Sequence, residues 1–149
     1  MGKKLAWLVM TLLALLVACY AAALLAIPEF RPSLVRTLMD ERPATAIAHF
    51  AGSALALAVG GMQLNAWLRS RAPGLHRWLG RGYVAGVAIG GVSGFLLALK
   101  SSGGPVAQAG FALMAVCWLG CTLVAYRRIR GGDVAAHRRW MIRSFALTF

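Results

Sequence analysis

Two short blocks of this chain repeat one pattern of residues whose side chains could do chemistry. Each block reads Arg-Trp-x-x-Arg-x-aromatic with a histidine just before it, and the blocks begin at Arg77 and Arg139, 62 residues apart. Imidazoles bind metals and haem iron, and guanidinium groups bind carboxylates and phosphates through two parallel hydrogen bonds. Each block therefore combines a candidate ligand with candidate anion-binding groups.

The histidines of the two blocks, His76 and His137, are candidate paired axial ligands of a b-type haem. The arginines of the blocks would then be free to bind the propionates; they are Arg77, Arg81, Arg139 and Arg143. Two other interpretations stay open. The same residues could bind an anionic lipid headgroup, or they could simply anchor the protein at a membrane boundary, where arginine and tryptophan accumulate.

Three further polar residues are candidates for a binding role. His49 lies within an apolar stretch, and polar groups at membrane depth are costly and often functional. Gln63 lies near the end of the same stretch and can hydrogen-bond a ligand or another helix. Asp133 is four residues before His137, so its carboxylate could cap a helix and orient the imidazole. The sequence has no nucleophile–base set, carboxylate pair, phosphate loop or metalloprotease motif.

The elements that position these residues must cross a membrane. The chain has 149 residues, of which 60% are hydrophobic and 13% are charged, and its mean hydropathy is +0.70. A soluble domain of this size cannot bury so much apolar surface, so the lipid bilayer is the expected partner. The net charge of +12 resides in short loops between apolar runs, and we therefore expect no nucleic-acid partner.

Four apolar stretches are long enough to cross the hydrocarbon core as helices, at about 5–27, 45–68, 77–99 and 106–127. A fifth, at 134–149, has roughly half the apolar length that a crossing needs. Either the sequence is truncated at Phe149, or the last helix is partial or re-entrant. The prediction is one polytopic all-α domain over residues 1–149, an antiparallel up-down bundle.

Most basic residues fall on one side of these spans: Lys3, Lys4 and the segments 69–81 and 127–143. The other loops hold few, and acidic residues nearly balance them. Since positive loops stay in the cytoplasm, we expect a cytoplasmic amino terminus. The first span also contains a lipoprotein-like box before Cys19, but it is long enough to span and no polar mature start follows. We therefore expect an ordinary first helix.

Small residues predict a close contact between the second and third spans. The third span has glycine at every fourth position from 82 to 94, and the second has small residues at every fourth position from 48 to 60. A spacing of four keeps a stripe on one helix face, and such faces let helices approach closely in lipid. A glycine zipper is expected; the alternative is a flat face for a macrocycle or quinone.

The blocks 49–52, 61–63, 75–83 and 137–148 resemble a family of bacterial predicted membrane proteins classed as a domain of unknown function. The last block, His-Arg-Arg-Trp-Met-Ile-Arg-Ser-Phe-Ala-Leu-Thr, is the most specific. The resemblance implies a multi-pass protein of the bacterial inner membrane. Members of that family continue through a complete helix after this block, so the resemblance implies truncation at Phe149.

A second, local resemblance concerns the block 75–80, Leu-His-Arg-Trp-Leu-Gly, with Gly94 and Phe95 further along. It looks like the His-Ser-Trp-Leu-Gly helix start of transmembrane ascorbate-linked b cytochromes, whose histidine ligates haem. It implies that His76 is a haem ligand. Arg77 stands where that family has serine, and the family's four-histidine pattern is absent.

Two functions follow from these patterns. One is one-electron transfer through a b-type haem near the cytoplasmic face. The alternative is a non-enzymatic membrane module that binds lipid or quinone headgroups or supports a partner membrane complex.

Overall fold

The fold is built from helices. The computed structural model describes residues 2–149, apart from the side chains of Lys3 and Lys4, and this part of the chain contains no strand. The prediction of a cytoplasmic amino terminus used these two lysines, whose side chains are not among those described. In chain order the helices are α1 (Gly2–Ala26), a 3-10 helix (Pro28–Phe30), α2 (Ser33–Glu41), α3 (Pro43–Gln63), α4 (Ala66–Arg71), α5 (Pro73–Ala98), α6 (Gly104–Arg130) and α7 (Val134–Thr148).

Four helices are long and apolar enough to cross a membrane, which confirms the predicted all-α fold with four spans. They cover Leu5–Ala26, Pro43–Gln63, Pro73–Ala98 and Gly104–Arg130. Each span contains its own backbone hydrogen bonds, as a lipid environment requires. The shorter α7 packs against α6 and also reaches α3.

The second span ends earlier than the predicted 45–68, because the helix is interrupted at residues 64–65, between α3 and α4. The side chain of Asn65 starts α4 by accepting a hydrogen bond from the backbone nitrogen of Trp67 at 2.8 Å. The guanidinium of Arg69 donates to the carbonyl of Leu64 at 2.9 Å. Arg69 thus satisfies an acceptor that the end of α3 leaves without a helical partner.

The backbones of α3 and α5 meet at glycines. A Cβ placed on Gly52 would lie 2.5 Å from the nitrogen of Gly90 and 2.8 Å from the carbonyl oxygen of Gly86. Only a residue without a side chain allows this approach. A Cβ on Gly82 would meet nothing within 4 Å. The first glycine of the regular spacing therefore lies outside the helix contact.

The two ends of the bundle differ chemically. One end holds the starts of α5 and α7 and the end of α6, together with Arg69, Arg77 and Arg139; we call it the basic end. At the opposite end, α2 packs on α3 through the buried side chains of Val35 and Met39. We call this the α2 end.

Candidate functional site

The two repeated blocks adopt the same local geometry around their tryptophans. The guanidinium of Arg81 lies 4.8 Å from the ring centroid of Trp78, and that of Arg143 lies 4.5 Å from Trp140. In each block the partners are three residues apart, the spacing at which side chains meet on one helix face. These cation–π contacts occupy the second arginine of each block and suit a membrane boundary.

The aromatic residue that ends each block has a different role. Tyr83 of α5 is 0% exposed, and Phe145 of α7 is also buried. Phe145 lies directly over Gly60 of α3, and Tyr83 approaches the same glycine. The repeated pattern therefore has an outer half, in which an arginine stacks on a tryptophan, and an inner half, which is part of the core.

His137 lies in the first turn of α7 and is held by a backbone carbonyl. Its Nδ1 lies 2.9 Å from the oxygen of Ala125 in α6. Because the carbonyl can only accept, Nδ1 carries the proton and Nε2 keeps its lone pair. The imidazole of His137 is thus oriented in the way that ligating histidines usually are.

Asp133 caps α7, as the sequence predicted, but the structure gives its carboxylate no bond to the imidazole of His137. The carboxylate accepts a hydrogen bond from the backbone nitrogen of Ala136 at 2.9 Å and lies 3.9 Å from Arg128. The capping bond holds the carboxylate at the helix start. The Ala125 carbonyl, rather than Asp133, therefore orients the imidazole.

His76 lies at the same end of the bundle, in the first turn of α5. Its Nδ1 is buried and has no hydrogen-bond partner among the described residues. Arg69, His137 and Arg77 lie close enough to act on it electrostatically. The two histidines therefore lie at the same end of the bundle, near enough to act on each other electrostatically.

Gln63 of α3 lies one helical turn further into the bundle. It is 6% exposed, and its Nε2 also lacks a hydrogen-bond partner in the described part of the chain. Its Oε1 lies 3.4 Å from the point where a Cβ on Gly80 would be. Since Gly80 is one turn after His76 on α5, the two unpartnered polar groups occupy adjacent layers. Buried polar atoms of this kind usually have a water or ligand partner.

His49 is far from the other two histidines, near the start of α3 at the α2 end. Its Nδ1 lies 2.8 Å from the carbonyl oxygen of Gly90 in α5. Its ring packs edge-on against Phe50, with ring centroids 5.7 Å apart. His49 also lines a cavity of about 480 Å³ between the helices.

A buried cluster of hydroxyl groups, which the sequence reasoning missed, joins α5, α6 and α7. The Tyr83 hydroxyl lies 2.8 Å from the Oγ of Ser144 and 2.8 Å from the Oγ1 of Thr148. Thr122 lies 2.7 Å from Ser144, and the indole nitrogen of Trp118 donates to Thr148 at 2.7 Å. The four-residue spacing of Ser144 and Thr148 was a signal that these hydroxyls share one helix face.

The basic end can bind an anion. Asp133 is the acidic residue at this end, and among the described residues it is paired with Arg128. Arg77 and Arg139 are exposed, and no carboxylate neutralises them or His76 in residues 2–149. The described residues also contain no group of three or more His, Cys, Asp or Glu that could hold a metal ion.

These helices and their polar interior define a multi-pass α-helical membrane protein. The chain belongs to the family described as predicted membrane protein (DUF2306), which matches residues 46–149. This confirms the resemblance to a membrane-protein family of unknown function, whereas the likeness of one block to b cytochromes stays a prediction. No curated protein and no solved structure matches the chain.

Proposed function

We propose that the protein is a non-enzymatic membrane module that binds a phosphate headgroup at the basic end of the bundle. The buried, unpartnered Nδ1 of His76 carries this proposal. A bacterial inner membrane is the expected location, with the basic end in the cytoplasm, because positively charged loops are retained there.

The charges around His76 support an anionic ligand. The guanidinium groups of Arg69 and Arg77 both act on it electrostatically. Such a cluster repels itself unless a counter-charge is present, and phosphate oxygens accept several charge-assisted hydrogen bonds at once. Arg69 is already held in place by the carbonyl of Leu64, so part of the site is preorganised.

We expect His76→Gln to weaken the binding of phosphatidylglycerol about tenfold, since the glutamine amide cannot place a donor where the buried Nδ1 of the imidazole lies. Native mass spectrometry of the protein in detergent, titrated with phosphatidylglycerol, measures this. The matched control is Arg130→Gln, which removes a charge from the last turn of α6 at the same end and should change the affinity less than about twofold.

Inorganic phosphate, added to the same protein in zwitterionic nanodiscs, distinguishes a lipid from a soluble phosphate compound. Thermal stabilisation by phosphate in the wild type but not in His76→Gln would identify a soluble phosphate group as the ligand. Selective binding of phosphatidylglycerol alone would identify a lipid. Equal losses in His76→Gln and Arg130→Gln would contradict the proposal, because they would indicate only diffuse charge attraction.

A second candidate, a b-type haem between His76 and His137, is favoured by one observation. The hydrogen bond from His137 Nδ1 to the Ala125 carbonyl leaves Nε2 free to ligate iron. His76 fits less well, because its Nδ1 has no acceptor to orient the ring. Arg77 and Arg139 could bind the propionates, whereas Arg81 and Arg143 are stacked on tryptophans. A haem bound there would supply one-electron transfer.

The visible spectrum tests the haem candidate directly. With haem supplied during expression, a low-spin Soret band should be lost in both His76→Ala and His137→Ala and retained in His49→Ala. The last variant is the matched control, because its histidine lies at the α2 end. A wild-type protein without a Soret band would exclude this function and leave the phosphate proposal untouched.

A further inference from the structure

A cavity at the α2 end has the size and lining of a small-molecule site. Its volume is about 480 Å³, and residues of α2, α3, α5, α6 and the end of α7 line it and leave one side open. Aromatic side chains of Phe50, Phe111 and Trp118 line its interior, while Glu41 and Lys100 lie among its lining residues where α2 and the α5–α6 loop meet. Ligand sites commonly combine a mostly apolar wall of this size with a few placed polar groups.

Among the polar groups that line the cavity, His49 has a hydrogen bond that shows which ring nitrogen carries a proton. Because its Nδ1 donates to the Gly90 carbonyl, the neutral ring leaves a lone pair on Nε2. A Cβ on Gly94 would lie 2.9 Å from His49 Nδ1, so the ring is held against a glycine of α5. The hydrogen bond found for this imidazole among the described residues is made by Nδ1, and the ring lines the cavity. His49 therefore offers the cavity an acceptor.

Ser53 places a second polar group one turn further along α3. It lines the same cavity, and its spacing of four from His49 puts both on one helix face. By contrast, the hydroxyl of Thr148 at the inner end of the cavity is already bonded to Tyr83, Trp118 and the Ser144 carbonyl. The α3 wall thus offers two polar groups next to each other, whereas Glu41 and Lys100 lie on α2 and on the loop after α5.

We propose that this cavity binds an uncharged aromatic ring carrying a hydroxyl group, a phenol or quinol with an apolar tail, whose hydroxyl donates to Nε2 of His49. The aromatic wall suits a flat ring, and the lone pair on Nε2 of His49 suits a neutral hydroxyl donor. This site is separate from the phosphate site, which lies at the other end of the bundle.

Two matched probes test the hydroxyl requirement: 4-heptylphenol and 4-heptylanisole, which has the same body without the O–H donor. Equilibrium dialysis against protein-containing nanodiscs, corrected for empty nanodiscs, measures their saturable binding. We expect the wild type to bind the phenol roughly fivefold more tightly than the anisole, as one neutral hydrogen bond allows. In His49→Phe, which keeps an aromatic ring but removes the acceptor, this difference should disappear.

Two further variants keep the test decisive. Ala115→Phe fills the cavity from α6 and should abolish the binding of both probes, while Tyr126→Phe, at an exposed position of α6 near the basic end, should leave the fivefold preference unchanged. A cooperative unfolding transition in sodium dodecyl sulfate, at the same detergent fraction as in the wild type, shows that each variant keeps its helix packing. Equal binding of the two probes to the wild type would overturn the proposal in favour of acyl-chain occupancy. The absence of saturable binding would overturn it in favour of a cavity filled by protein.

Discussion

Replacing Gly52 with alanine should destabilise the protein by about 3 kcal/mol, because the new methyl group would collide with backbone atoms. A Cβ at this position would lie 2.5 Å from the nitrogen of Gly90 and 2.8 Å from the oxygen of Gly86. Backbone cannot move aside like a side-chain rotamer, so α3 and α5 must separate. Unfolding by sodium dodecyl sulfate in mixed micelles, followed by circular dichroism, measures the change.

The matched control for Gly52→Ala is Gly82→Ala, at the first position of the glycine spacing in α5. A Cβ there meets nothing within 4 Å, and alanine has the higher intrinsic helix propensity, so we expect no loss of stability. If both substitutions had the same effect, close backbone contact between α3 and α5 would not be what stabilises the pair.

The second large effect is expected at Tyr83, whose hydroxyl bonds Ser144 and Thr148. Tyr83→Phe should cost about 1–2 kcal/mol, because both partners lose a hydrogen bond in a buried site. Tyr83→Ala should cost about 4 kcal/mol, since it also leaves a cavity in the core. Both values come from the same unfolding titration in mixed micelles.

Tyr126→Phe is the matched control for the hydroxyl, because Tyr126 of α6 is exposed at 46%; its stability should be unchanged. Hydrogen exchange adds a local readout, and the amides of α7 should exchange faster in Tyr83→Phe than in the wild type. If Tyr83→Phe unfolds like the wild type and only Tyr83→Ala is weaker, packing rather than the hydroxyl cluster holds α7.

The positions of the spans could be predicted well because a bilayer imposes a simple length requirement. Each of the four long helices lies close to an apolar stretch visible in the sequence. The early end of α3 was not predicted, because the stretch to residue 68 remains free of charged residues. The break depends instead on the cap formed by Asn65 and on the bond from Arg69 to Leu64.

The candidate site was only partly predictable. Local spacing identified His76 and His137, and helix geometry then required them to lie at one end. The bond from His137 to the Ala125 carbonyl could not be foreseen, because any carbonyl on a neighbouring helix was an equal candidate. The bond between Ser144 and Thr122 was also not predicted, since hydroxyls in membrane helices often bond only to the backbone of their own helix.

The repeated Arg-Trp-x-x-Arg-x-aromatic blocks show what the sequence can predict and what requires the tertiary structure. The sequence by itself determined that the blocks lie at the ends of long apolar stretches, because charge and apolar length can be read along a single helix. Only the tertiary structure decided that Tyr83 and Phe145 meet over Gly60, and that hydroxyls from α5, α6 and α7 form one cluster. Those contacts depend on how each helix is rotated and on which helices it meets. A helix that is apolar on all sides does not indicate which face points to lipid and which to another helix.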